Sequence, residues 1–203
     1  MRKRVIGITG GIGAGKSEVL SLLQTRFGAE VILADEVAHE LMEPGQAAYQ
    51  EIVRQFGTAF LQENGRIDRK AFAALLFQTE GMRERVNAIV HPLVKLEIRR
   101  RVKASDAQLV AVEAALLIEE KYGGDICEEL WYVYTSREVR IRRLMAGRGY
   151  TREKCEQIMA SQLSEEEFLA NCQRVLRNDG SQEELEQTLN GLVAELMKEG
   201  EKT

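Results

Sequence analysis

Val5-Ile6-Gly7-Ile8-Thr9-Gly10-Gly11-Ile12-Gly13-Ala14-Gly15-Lys16-Ser17 places an apolar, β-prone segment ahead of a glycine-rich run closed by Lys-Ser. The run from Gly10 to Ser17 satisfies G-x-x-x-x-G-K-[ST] in full, a match that chance gives a chain of this length roughly once in a hundred. The residues that follow carry Val19, Leu22, Leu23 and Phe27 on one helical face, so the order is strand, loop, helix. That order is the one a phosphate-binding loop requires. A polyphosphate wrapped by backbone N–H groups needs a loop without obstructing Cβ atoms, and the next helix adds unpaired donors and the positive end of its dipole. Gly11, Ile12, Gly13, Ala14 and Gly15 therefore read as the cradle of a nucleotide. Lys16 reads as the charge on its β and γ phosphates, and Ser17 as a hard oxygen ligand for Mg²⁺. The competing reading is an ordinary glycine-rich turn.

Outward from this loop, five short apolar or β-branched segments recur: Val5–Thr9, Val31–Ala34, Leu109–Glu113, Leu130–Thr135 and Gln173–Leu176. Long helical patterns separate them. Near-continuous apolar runs alternating with helices predict an α/β fold with a five-stranded parallel sheet covered by helices, because such strands are buried on both faces. Between the second and third segments about 70 residues show no strand pattern, too many for one crossover helix. They predict an inserted helical subdomain, 41–103, with helices over Gln46–Phe56, Arg69–Phe77 and Gly81–Lys103 and turns at Pro44-Gly45 and Asn64-Gly65. The nucleotide-binding core is then 1–40 with 104–203. A final helix from Gln182 aligns Leu185, Leu189, Leu192, Val193 and Leu196 for core packing.

Composition excludes several classes. With 44% hydrophobic and 30% charged residues the chain has the makings of a core and is not a disordered one. A formal net charge of -4 argues against a general nucleic-acid binder. No apolar stretch approaches the roughly 18 residues a membrane span needs, and a cytoplasmic protein is expected. The three cysteines, 127, 155 and 172, show neither disulfide nor zinc spacing. The expected assembly is a monomer or weak homo-oligomer.

In open α/β sheets, ligands gather outside the carboxyl ends of the strands, so polar residues there are candidates. Asp35 follows the second segment and can take a proton from an attacking hydroxyl; equally, it can cap a helix over Glu36–Met42. Glu113 ends the third segment, as a site carboxylate near the metal or as a plain strand-end charge. Glu119 reads as a helical residue that can equally be a surface charge. The arginine-rich stretch 137–163 reads as a lid, with Arg140 and Arg143 on one helix face and Arg148 at the break Gly147-Arg148-Gly149. It can instead be a solvated basic helix. His91 precedes Pro92, which disfavours the α region and suggests a helix boundary.

Taken together, the chain resembles the dephospho-CoA kinase family over nearly its whole length. Ile8-Thr9-Gly10-Gly11-Ile12-Gly13-Ala14-Gly15-Lys16-Ser17 is similar to that family's loop signature, narrower than the generic one. Ala34-Asp35, Glu43-Pro44-Gly45, Phe56-Gly57, Ile67-Asp68-Arg69, Phe77 and Ile89-Val90-His91-Pro92 follow in family order. Leu116-Leu117 with Glu119, Arg143-Leu144-Met145, Gln162, and Asn178 with Gly180 complete the resemblance. Leu33, His39, Ala115 and Arg177 depart from the family pattern. The resemblance implies a P-loop kinase using ATP and Mg²⁺ on the small molecule dephospho-CoA. It implies Asp35 as general base, His91 on the substrate side with Glu113 and Glu119, and Asn178 with Gly180 flanking the adenine.

Overall fold

The computed structural model describes residues 2–78 and 81–199, so the ends of the expected core, Met1 and 200–203, lie outside the described residues. The chain divides into two compact units, Met1–Val31 with Ser105–Thr203, and Ile32–Ala104. The first holds β1 (Arg4–Thr9), α1 (Lys16–Phe27), β3 (Leu109–Glu113), β4 (Glu129–Tyr134), α6 (Arg137–Arg148), α7 (Arg152–Ala160), α8 (Glu165–Asn171), β5 (Arg174–Arg177) and α9 (Gln182–Glu199). β2 (Glu30–Leu33) straddles the division, and α2 (Ala34–Leu41), α3 (Ala47–Phe56), α4 (Arg69–Gln78) and α5 (Met82–Ala104) make the second unit.

The five strands form one parallel sheet in the order β2-β3-β1-β4-β5. β1 pairs with β3 on one side, Ile8 opposite Glu113, and with β4 on the other, Thr9 opposite Tyr132. Every residue of β1 is buried, as are Leu109 to Val112 and Leu130 to Val133. This explains their unbroken apolar runs, because strands covered on both faces have no polar side to alternate with. The chain's single tryptophan, Trp131, is wholly buried in β4. Its Nε1 donates to Glu129 at 2.9 Å, and Arg174 of β5 pairs with the same carboxylate at 2.7 Å.

Helices α1 and α9 pack together, α1 also against β1 and β3 and α9 against β5. Leu185, Leu189, Val193 and Leu196 are buried as the α9 stripe predicts, while Leu192 is only half-buried. α8 lies against β4 through the stacked rings of Phe168 and Tyr132, centroids 4.6 Å apart. α6 and α7 share a small core of Ile141, Leu144 and Cys155, against which the partly buried Ile12 of the glycine-rich loop packs.

In the second unit α2 packs on α5 and α3, and residues 32–40, which the expected boundary put with the nucleotide-binding core, group here, with Ile32 and Leu33 still in β2 of the sheet. Both turn signals appear: Gly45 has φ 87° and Gly65 φ 79°, the latter closing a bridge between Leu61 and Ile67. One expectation fails. Pro92 lies inside α5, and His91 marks no boundary. A proline within a helix costs about 3 kcal/mol. Val86, Val90, Val94 and Ile98 form an i, i+4 stripe whose burial contributes about 1.5 to 3 kcal/mol per side chain, so packing outweighs the lost backbone bond. Among the described residues no helix is long and apolar enough to cross a membrane.

Candidate active site

β1 delivers the chain to the middle of the sheet, and the loop turns there between the carboxyl ends of β3 and β4. α1 begins at Lys16 with Gly15 as its N-cap at φ 88°, and no side chain caps it. The first N–H groups of α1 are therefore left to whatever sits in the loop, whereas Thr151 caps α7 and Ser164 caps α8. Ser17 is exposed in the first turn of α1, its hydroxyl a hard oxygen of the type a magnesium ion accepts.

The shape of the loop is set from behind. The carbonyl oxygen of Ala14 accepts from Asn178 Nδ2 at 3.0 Å and lies 2.9 Å from the Thr135 hydroxyl. Asn178 is held in turn: its N–H donates to Tyr134 O at 2.8 Å, and its carbonyl accepts from Arg143 Nη2 at 3.0 Å. Because a trans peptide points its C=O and N–H in opposite directions, fixing the Ala14 carbonyl rearward aims the Gly15 N–H at the loop's open side. A Cβ on Gly15 would meet Asn178 Nδ2, so the glycine is required by this support as well as by its positive φ.

In front stand the cations. Lys16 Nζ donates to Gly10 O at 2.9 Å and lies 3.7 Å from the Glu113 carboxylate. Burial lowers the Lys16 pKa, Glu113 opposes that, and the charges of Arg140 and Arg148 lower it further. Arg140 lies across the loop: Nε donates to Ile12 O at 2.8 Å and Nη2 to Gln162 Oε1 at 3.1 Å. A Cβ on Gly11 would collide with that guanidinium. Gln162 Oε1 also accepts from the Ile12 N–H at 2.9 Å. Arg143 Nη1 is buried with no partner among the described residues, 3.3 Å from where a Gly15 Cβ would be, a donor in waiting beside the loop. Arg148, last residue of α6, is exposed. The rest of the arginine stretch is a solvated basic surface: Arg137 pairs with Glu156 at 2.9 Å and Arg152 with Glu138 at 2.6 Å.

The structure thus gathers Gly11 to Lys16, Glu113, Arg140, Arg143 and Asn178 around one loop. Asn178, only 3% exposed, supports the loop from beneath and does not line its open side. Gly180 sits in the exposed turn before α9 under the Glu184 carboxylate, which accepts from the Ser181 N–H at 2.9 Å. Glu119 is not in a helix: it is exposed within the turns of 115–121 that follow β3, where Lys121 takes φ 52°. Asp35 and His91 belong to the second unit. Asp35 is exposed in the first turn of α2, whose N-cap is Leu33, so the capping role is excluded. Among the described residues no three His, Cys, Asp or Glu side chains cluster to hold a metal. Thr135 escapes the sequence reading, although a polar residue at the carboxyl end of a buried strand was its signal.

The chain is similar to known proteins over nearly its whole length. The family model described as dephospho-CoA kinase matches residues 4–184. A dephospho-CoA kinase of Geobacter sulfurreducens is 41% identical over 192 residues, covering 94% of this chain and 97% of the relative. A Thermus thermophilus crystal structure superposes with a TM-score of 0.79 at 35% identity, over 97% of this chain and 99% of the other. A dephospho-CoA kinase from Campylobacter jejuni shares the fold at 21% identity, TM-score 0.71, over 98% and 99%. On the family match along nearly its whole length and the identity to curated relatives, the chain belongs to the dephospho-CoA kinase family.

Proposed function

We propose that the protein transfers the γ-phosphoryl group of ATP to the ribose 3′-hydroxyl of dephospho-CoA, giving CoA and ADP. The 3′-oxygen bonds to the γ-phosphorus, the bond from that phosphorus to the bridging oxygen breaks, and the hydroxyl proton goes to Asp35. Lys16 and the amides of Gly11, Ile12, Gly13, Ala14 and Gly15 hold the β and γ phosphates. Arg140, Arg143 and Arg148 meet the charge that spreads over the transferring group. Glu113 keeps Lys16 in place, and His91 with Glu119 belongs to the acceptor side. Asn178 and Gly180 shape the nucleotide end of the site.

Ser17 fits Mg²⁺, a hard cation that takes oxygen ligands and shares the phosphates' charge when bound. The reading places the enzyme in the cytoplasm, in keeping with three free thiols. The observation that supports it most is the pinned Ala14 carbonyl, which turns the Gly15 N–H to the loop's open side beside a partly buried lysine and arginine. One incubation with ATP, Mg²⁺ and dephospho-CoA, analysed by mass, tests it. A product heavier by one phosphate is expected. Transfer to a nucleoside monophosphate or another alcohol in preference to dephospho-CoA rejects the acceptor, and nucleotide binding with no transfer rejects the kinase.

A further inference from the structure

Gln162 lies in the connection between α7 and α8, and its backbone has little freedom. Its N–H donates to Met159 O at 3.2 Å at the end of α7, and two residues later Ser164 and Glu167 close a capping box at the start of α8. From this fixed base the carboxamide reaches the glycine-rich loop. Its oxygen accepts from the Ile12 N–H at 2.9 Å and from Arg140 Nη2 at 3.1 Å, while Arg140 Nε donates to Ile12 O at 2.8 Å. Two donors converging on one atom require that atom to be the carboxamide oxygen and not the nitrogen.

The point where a loop amide and a guanidinium converge is a place for a phosphoryl oxygen. Lys16 tells which phosphate it serves. The lysine of this motif reaches the β and γ phosphates, and its Nζ here touches Gly10 O, so the Gly10 to Ile12 arm is the end that faces the terminal phosphate. We propose that Gln162 is a positioning residue for the γ-phosphoryl group: its oxygen holds the Ile12 amide and Arg140 on one point and yields that point to a triphosphate. A charged phosphoryl oxygen is the stronger acceptor of the two, so ATP takes both donors from Gln162. ADP, one phosphate shorter, leaves them with Gln162. The residue therefore reports whether the phosphoryl group is present.

This rests on the kinase reading for the nucleotide and not for the acceptor. The test is equilibrium binding of Mg·ADP and of a non-hydrolysable Mg·ATP analogue to the full chain without acceptor, with wild-type turnover of dephospho-CoA measured alongside. Gln162→Glu sets a carboxylate against the terminal phosphate and lowers the ATP-to-ADP affinity ratio by about ten-fold or more. Gln162→Leu removes the competitor and raises that ratio by about three-fold. A role limited to lid structure moves both nucleotides together. Equal shifts for the two nucleotides, no shift, or a ratio moving the opposite way in either variant overturns the proposal. Loss of dephospho-CoA turnover in wild type with the ratio changes intact overturns only the acceptor.

Discussion

The carboxamide of Asn178 donates to the carbonyl oxygen of Ala14 at 3.0 Å across 164 positions of sequence. Through it, the carboxyl end of β5 orients an amide at the tip of β1. Asn178→Ala leaves the Ala14 carbonyl with Thr135 alone, while Arg143 keeps its bond to the main-chain carbonyl of residue 178. A buried bond of this kind costs about 1 to 3 kcal/mol to break. Calorimetric melting should show the loss, and nucleotide affinity should fall with it. Unchanged affinity would mean the loop holds its shape unaided.

Gly11→Ala sets a methyl group against the Arg140 guanidinium. The side chain is long enough to move, so the fold should survive with a melting temperature near wild type. Arg140 would leave Ile12 O, and kcat should fall by about ten-fold or more as an aligned cation is lost. Steady-state kinetics on the folded variant decide it; a normal kcat shows that Arg140 is not needed where it lies.

Asp35→Asn should lower kcat by at least about a hundred-fold while ATP binding changes little, because proton acceptance is realised only during transfer. Since Asp35 is exposed and caps no helix, its loss should not unfold the protein. Parallel measurement of kcat and ATP dissociation separates the two effects, and near-wild-type turnover assigns the base elsewhere.

Glu97 of α5 should make the stability of the fold depend on pH. Hydrogen bonds from Arg100, at 2.7 Å, and from Arg101, at 2.9 Å, hold its carboxyl at about 2 against an ordinary 4.5. A carboxyl depressed on folding stabilises above its unfolded pKa and loses that contribution as pH falls through the folded value. The melting-temperature gap between wild type and Glu97→Gln should therefore be full above pH 4.5, narrow from there to about 2, and close below. A gap constant across that window refutes the pairing in solution.

The loop from Gly10 to Ser17 was legible in sequence because its determinants are contiguous: each glycine, the lysine and the hydroxyl sit at fixed offsets. The parallel strands were legible for a similar reason, since burial on both faces leaves its mark residue by residue in Val110, Ala111 and Val112. What sets the loop's shape was not. Thr135 and Asn178 reach Ala14 from 121 and 164 positions away. No local pattern predicts that meeting; only the sheet order brings their strand ends together. Pro92 misled because local backbone preference was weighed without the buried stripe of α5, and Glu119 because an apolar run, Leu116-Leu117-Ile118, reads alike in a helix and in a packed turn.

Trp131, with no surface exposed, lies in the unit that carries the sheet, and residues 32–104 contain no other indole. Fluorescence emission thus watches one half of the molecule, whereas far-ultraviolet circular dichroism, dominated by helix, watches both. Two melting curves that superimpose describe a single cooperative transition; two that part company give the helical insert a stability of its own, measured without a label or a substitution.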